Sequence, residues 1–393
     1  MSAGSNANRD RFEGHKKGLK KSFEERMLKR LRREKRLQGK KASCRVMAAL
    51  EGVQLKFDKD NIKAREINRA IETFVPEERQ SDAKYVRKLK RELLYCRRCY
   101  LISYSQYFIF GFEGKSDAER KEYIGERERQ YVTISLYDRS GAFRRFKDKY
   151  LAYEAFRKFY GREIIKITSE GDRKAFKDFA ERHKTVFVKP ADAAEAKGIY
   201  KVEAGSDDLD EAFDEALAIG EPAVAEEAIV QDPFMAAFHP GSVNTVRITT
   251  FATEKRVRPL FAFLRTGCGD SIVDNAGAGG MSAAIDIDTG VISTQGFRED
   301  GTCSPVHPDT QAVFMGTKVP RWGELLNMLD EMARVIPEQI YVGWDMALTP
   351  DGWKMIEGNS RAMMTAIQMC EQKGLRPLIE DTFYREMKKR GIR

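Results

Sequence analysis

The chain has 393 residues, 42% of them hydrophobic and 10% aromatic, which suffices for sizeable cores and excludes global disorder. Lys and Arg number 69 against 60 Asp and Glu, a formal net charge of +9. No run of about 18 apolar residues occurs, and the N-terminal MSAGSNANRD lacks the apolar segment of a secretory signal, so neither a membrane span nor export is expected.

The charge is unevenly placed. Residues 1–50 hold 16 basic and 5 acidic side chains, a local +11, which leaves −2 on residues 51–393. This divides the chain into a basic, partly helical arm at 1–50 and a near-neutral body, and deleting the arm is expected to spare activity. Within KSFEERMLKRLRREKRL (21–37), Phe23, Met27 and Leu31 recur every four residues. Such a stripe docks on the protein itself or lies on an anionic membrane surface. The absence of a Trp anchor favours the first, and without interleaved aromatics nucleic acid is not an expected partner.

Residues 51–140 read as a helical, charge-rich region, with INRAIETF inside 62–74 and SDAKYVRKLKRELLYCRRCY at 81–100 as its clearest segments. In SDAERKEYI (116–124), Ser116 and Glu119 are spaced for a capping box. The Cys96–Cys99 pair lacks the further ligands of a zinc site and the βαβ setting of a redox motif, and reads as two ordinary helix cysteines. Six cysteines at this length do not make a disulfide framework, so a cytoplasmic setting is expected.

From about residue 140 strands and helices alternate. A helix is expected in 146–160, strands at 163–168, 186–190, 198–202 and 223–230, and helices at 172–183 and 207–220. VNTVRITTF, VRPLFAFLR, MSAAIDID and GVISTQGF follow as β segments, then a helix near 322–335, a hairpin at 340–358 and two closing helices. The pattern is α+β with antiparallel sheets. Its expected division is a small lobe at 141–230 and a large lobe with a metal site at 231–393.

The hairpin carries the sharpest chemistry. Pro350-Asp351-Gly352 is a turn signal between two apolar runs. A turn centred on Asp351 puts Asp345 opposite Glu357 on one face, with Asn359 two residues further on the same side. Trp344, Met346, Met355 and Ile356 crowd both carboxylates. Two such carboxylates repel unless a positive charge lies between them, and an Asp, Glu and Asn oxygen set suits a hard cation such as Mg²⁺ carrying substrate phosphates.

An Asp, a turn and then Glu-x-Asn resembles the metal-binding end of the ATP-grasp ligases. HPGSVNTVR (239–247) and VGWDMALTPDG…EGN (342–359) together are most similar to the sugar-transfer-associated ATP-grasp proteins. The resemblance implies an ATP-grasp fold of two α+β lobes over roughly 100–393, following the helical, basic N-terminal region. It implies ATP, with Mg²⁺ or Mn²⁺ on Asp345, Glu357 and Asn359. It places Lys149 and Lys189 on the phosphates and makes 191–198 a lid ending at Gly198, although Glu195 and Lys197 replace a Gly-rich run. It sets the adenine edge against the backbone around Glu226–Ile229, with Glu227 or Asp232 as alternatives for the ribose. Asn244 lies beside the nucleotide, Arg247 and Arg265 neutralise the γ-phosphate and an acyl phosphate, and Asn275 with its Gly-rich loop meets the acceptor substrate. No Ser-His-Asp order is visible and the four histidines lack metal-ligand spacing, with His239 favoured as a turn cap.

The expected activity is an ATP-dependent carboxylate–amine ligase working through an acyl phosphate, on small-molecule, peptide or glycan substrates, in surface-polysaccharide or peptide modification. A kinase on the same scaffold and a non-catalytic ATP-binding scaffold are the alternatives. The expected location is cytoplasmic, with attachment to the inner face of the membrane through the arm as a variant.

Overall fold

The computed structural model describes residues 25–58, 61–136, 141–192, 198–219, 222–274, 277 and 279–392. By contacts the chain forms two compact units, Asp138–Glu371 and a helical unit of Met1–Tyr137 with Gln372–Arg393. The last 22 residues thus group with the N-terminal helices, not with the large lobe assigned from sequence.

In unit Asp138–Glu371 every strand pairing is antiparallel. The smaller sheet contains β1 (Ile164–Ile167), β2 (Thr185–Pro190), β3 (Tyr200–Glu203) and β4 (Ala223–Glu227), in the order β1-β4-β2-β3. Alternation in β2 turns Val186 and Val188 into a core with Phe176, Phe179 and Phe213 of helices Arg173–His183 and Leu209–Ala218. Phe187 and Lys189 therefore stand on the opposite face.

The larger sheet holds β5 (Thr245–Ala252), β6 (Val257–Thr266), β7 (Met281–Ile285), β8 (Gly296–Phe297), β9 (Cys303–Ser304), β10 (Tyr341–Thr349) and β11 (Gly352–Asn359), ordered β11-β10-β5-β6-β7-β8-β9. Pro259 would interrupt a regular strand; a bulge in β5–β6 falls beside it, where a missing N–H is tolerated. All nine residues of β10 are buried. Trp344 at its centre donates its indole N–H to Thr250 Oγ1 at 2.9 Å and packs on Phe146 and Phe156. Phe156 belongs to helix Lys149–Tyr160, which Asp148 caps by accepting from Tyr150 N and Leu151 N.

Glu128, in helix Glu126–Leu136, is a fully buried junction of the helical unit. It accepts from Lys35 Nζ at 2.6 Å, Gln38 Nε2 at 2.5 Å and Arg376 Nη2 at 2.8 Å, and from the Tyr384 hydroxyl. Segments over 240 residues apart in sequence thus meet at one anion. Ser116 and Glu119 form the expected capping box.

The basic arm is not a separate module. Residues 25–37 are helical, Leu31 is 2% exposed, and Arg127 pairs with Glu34. Cys44 and Ala48, in helix Lys41–Phe57, join the core formed by Ile67, Leu89, Leu93 and Tyr100. The charge step at residue 50 cuts through this helix because charge records solvation, not packing. Deleting 1–50 would remove core side chains and is therefore expected to cost stability, alongside the expectation that ATP turnover survives it. Of the stripe, Leu31 is buried and Met27 half-buried, and Phe23 lies outside the described residues. Among the described residues no helix is long and apolar enough to cross a membrane.

Candidate active site

Thr349 and Gly352 pair across the two-residue turn Pro350-Asp351, with Gly352 at φ +126. Counting back from that turn would place Ile356 opposite Asp345 and turn Glu357 to the other face. A bulge between Asp345 and Met346 restores Asp345 opposite Glu357 and Gly343 opposite Asn359. The expected juxtaposition is present, produced by the bulge and not by a turn centred on Asp351.

On its other side Asp345 pairs with Arg247 of β5. Arg247 donates from Nε to Oδ1 and from Nη2 to Oδ2 at 2.6 Å, and Arg265 Nη1 of β6 reaches Oδ2 at 3.1 Å. Burial alone would raise the Asp345 carboxyl, but Arg247 and then Arg265 outweigh it and hold the group below its usual range. Glu357 goes the other way: burial first, then the charge of Asp345, pushes it up. Asn359 Nδ2 donates to Glu357 Oε1 at 3.0 Å. A carboxyl pair with Asp345 buried, Glu357 half-buried and the latter driven towards its neutral form favours a positive charge beside it. The donors are all oxygen, so the residues fit a hard divalent cation.

Asp274 was not foreseen. It sits behind Arg265, with Oδ1 3.2 Å from Nη2, and accepts from the Thr245 hydroxyl. The Gly-rich loop drew attention to Asn275, which lies outside the described residues; its neighbour Asp274 is the group that holds the arginine.

On the smaller sheet Lys189 Nζ donates to Glu226 Oε2 at 2.9 Å, and Arg162 Nη2 reaches the same oxygen at 2.9 Å. Arg162 also donates to the Met355 carbonyl at 2.6 Å, tying this cluster to β11. Lys149 Nζ donates to the Pro190 carbonyl at 2.9 Å. Burial lowers the Lys149 pKa, while Glu357 and Glu226 act on it from nearby. Lys149, Lys189, Glu226 and Glu357 are therefore brought together. The Glu226 side chain is an anchor for Lys189, which its assignment to the adenine edge did not anticipate. Arg162 follows the left-handed Gly161 that ends its helix, a place where a buried arginine leaves no sequence signal.

Burial would raise Glu226, but Lys189 and Arg162 reverse this and bring it down to about 2 from an ordinary 4.5. Because the folded pKa is depressed, its stabilisation is present above about pH 4.5 and is lost as pH falls towards 2. The amount is on the order of 3 kcal/mol. In urea titrations across this window, Glu226→Gln should show a shallower pH dependence than the parent. Equal slopes would contradict this role.

Other expected residues have structural duties. Asn244 is fully buried and donates to the Met235 and His239 carbonyls at 2.7 and 2.8 Å. This makes it a positioning residue for the turn before β5. Asp232 Oδ1 caps helix Pro233–Ala236 by accepting from Phe234 N at 2.8 Å. Glu227 Oε2 accepts from Glu163 N at 3.0 Å, and Ile229 follows β4 half-buried. Gly198, at φ +71, lies beside Pro190, where a Cβ would approach Cγ to 3.1 Å. Lid residues 193–197 lie outside the described residues. His239 bonds Ser242 Oγ at 3.0 Å and the Gly269 carbonyl at 2.9 Å, as its turn-capping reading expected.

A family model described as sugar-transfer associated ATP-grasp matches residues 127–383. No curated protein matches the sequence. Among solved structures, the ATP-grasp ligase PsnB with minimal precursor, Mg and ADP is similar at 15% identity and a TM-score of 0.40, over 67% of this chain and 69% of that one. D-alanyl-alanine synthetase A from Vibrio cholerae is similar at 14% identity and a TM-score of 0.39, over 62% and 67%. An L-amino acid ligase from Bacillus licheniformis gives 11% and 0.35, over 60% and 43%. These likenesses are remote, and the family assignment rests on the match over 127–383.

Proposed function

Because the chain belongs to the sugar-transfer associated ATP-grasp family, we propose that it is an ATP-dependent ligase that joins a carboxylate to an amine. The observation that carries this reading is the Asp345–Glu357 pair, Asp345 buried and Glu357 half-buried, with Arg247 and Arg265 on β5 and β6. Asp345, Glu357 and Asn359 would hold Mg²⁺, which supplies offset of the charge on phosphate oxygens.

Lys149 and Lys189 bind phosphate oxygens, and Glu226 and Arg162 fix the lysine of β2 in place. The backbone following β4 receives the adenine edge. Arg247 and Arg265 face the developing charge as a substrate carboxylate takes the γ-phosphoryl group, and Asp274 orients Arg265. The carboxylate oxygen forms the new bond to phosphorus while the bond to the ADP oxygen breaks. An amine nitrogen then attacks the acyl carbon, the phosphate leaves and the amine gives up a proton. Segment 191–198 excludes water from that intermediate. Surface-polysaccharide or peptide modification is the setting of this reading, with small-molecule, peptide or glycan substrates; the family description supports an association with sugar transfer.

Mg-ATP should raise the thermal midpoint of the full chain, by mass action on the folded state. No protection at millimolar Mg-ATP would sink the proposal and the kinase alternative together. A kinase would differ by leaving a stable phosphorylated product.

A further inference from the structure

A second cluster of ligating side chains lies apart from the carboxylate pair. β6 ends at Thr266 and is followed by Gly267, Cys268 and Gly269, while the segment after β9 brings in His307 and Asp309. Cys268 Sγ is 3.6 Å from the His307 ring nitrogen Nε2, and His307 Nδ1 is 4.0 Å from Asp309 Oδ2. One ligand atom from each of the three lies within 4.8 Å of the other two. Four-coordinate zinc with bond lengths near 2.0–2.3 Å places its ligands roughly 3.3–3.7 Å apart. Closing the set from its 4.8 Å span takes about 1 Å of movement by the exposed Asp309 and half-buried Cys268 side chains.

The surroundings favour ligation. His307 Nε2 lies 2.9 Å from the Gly267 carbonyl. Donation of Nε2–H to that oxygen leaves the Nδ1 lone pair for the metal on the side of Asp309, so the 3.6 Å contact places Cys268 at the ring edge and its sulfur must swing towards Nδ1 to ligate. Metal-bound histidines ordinarily donate their other ring N–H to such an acceptor. Asp309 N lies 3.3 Å from Nδ1, a long contact that ligation would displace. Asp309 Oδ2 accepts from Gly269 N at 2.7 Å, which keeps the carboxylate beside the loop. Gly267 has no room for a side chain: a Cβ would stand 2.4 Å from Ser242 Oγ and 2.8 Å from His239 Nδ1. His307 is buried, Cys268 is half-buried and Asp309 is exposed, so the cluster has a firm floor and an open side.

We propose that Cys268, His307 and Asp309 form a site for a borderline-soft divalent transition metal of the zinc class, with its fourth position open to water. The donor set of thiolate, imidazole and carboxylate separates it from the all-oxygen site on the hairpin, which suits Mg²⁺. The ion would clip the connection after β6 to the segment after β9, with its ligand Cys268 three residues from Arg265. It stands independently of the ligase reading.

The test is Co²⁺ titration of the full chain, stripped of metal and held in excess Mg²⁺. One equivalent should produce thiolate-to-cobalt charge-transfer absorption, and Zn²⁺ should abolish it. Cys268→Ser should lose the band while keeping the parent circular dichroism. Asp309→Asn, at an exposed position, should keep the band and weaken Co²⁺ binding by about 10-fold or more. Absence of the band in the parent, its persistence in Cys268→Ser, or unchanged affinity in Asp309→Asn would overturn the assignment.

Discussion

Glu357→Gln should lower ATP turnover by at least about 10²-fold while moving the thermal midpoint little. The two outcomes have separate causes. Burial and Asp345 already push the Glu357 carboxyl towards its neutral form in the ligand-free fold. A glutamine is a neutral group of nearly the same shape, and its carbonyl can keep the bond from Asn359 Nδ2. The fold therefore loses little. What disappears is the option of a negative oxygen beside Asp345, the property a divalent cation needs. Asp345→Asn makes a poorer test, because it leaves Arg247 and Arg265 facing a neutral group in a buried place and costs stability as well. Steady-state phosphate release and a thermal melt on the same Glu357→Gln preparation separate the effects. Full activity would remove Glu357 from the cation site.

The largest stability effect is expected at Glu128. Glu128→Gln should destabilise the helical unit by about 3–5 kcal/mol, because Lys35 and Arg376 keep their charges and lose their common counter-ion. Burial would raise the Glu128 carboxyl, but Arg376 and then Lys35 reverse this and bring it to about 2 from an ordinary 4.5. The contribution is thus complete above about pH 4.5 and fades as pH falls towards 2. Urea unfolding at neutral pH checks the size of the effect, and a loss below about 1 kcal/mol would show that these helices are held by other contacts.

What could be read in advance follows from how local each feature is. Strand alternation in VFVKP, the helix rhythm in DRKAFKDFAERH and the Ser116–Glu119 cap depend on neighbours within four residues, and they stand as expected. The Asp345–Glu357 pairing was legible from spacing around the turn, yet its register depends on a bulge for which the residues give no local sign. Arg162, Asp274 and the anchoring role of Glu226 come from contacts between segments far apart, and each residue looks ordinary in its own segment. Cys268 and His307 are 39 positions apart, so no ligand spacing could show them. The arm misled for a different reason: its basic residues are solvated on one side, while Leu31, Cys44 and Ala48 on the other are buried.

ADP and phosphate release by the full chain with Mg-ATP, measured across a panel of acid–amine pairs, asks most directly whether the Asp345–Glu357 pair serves amide formation. Turnover is predicted only when a carboxylate and an amine are both present, with one product carrying the summed mass less water. Release that needs neither the acid nor the amine, or that ends in a stable phosphorylated acceptor, would contradict it.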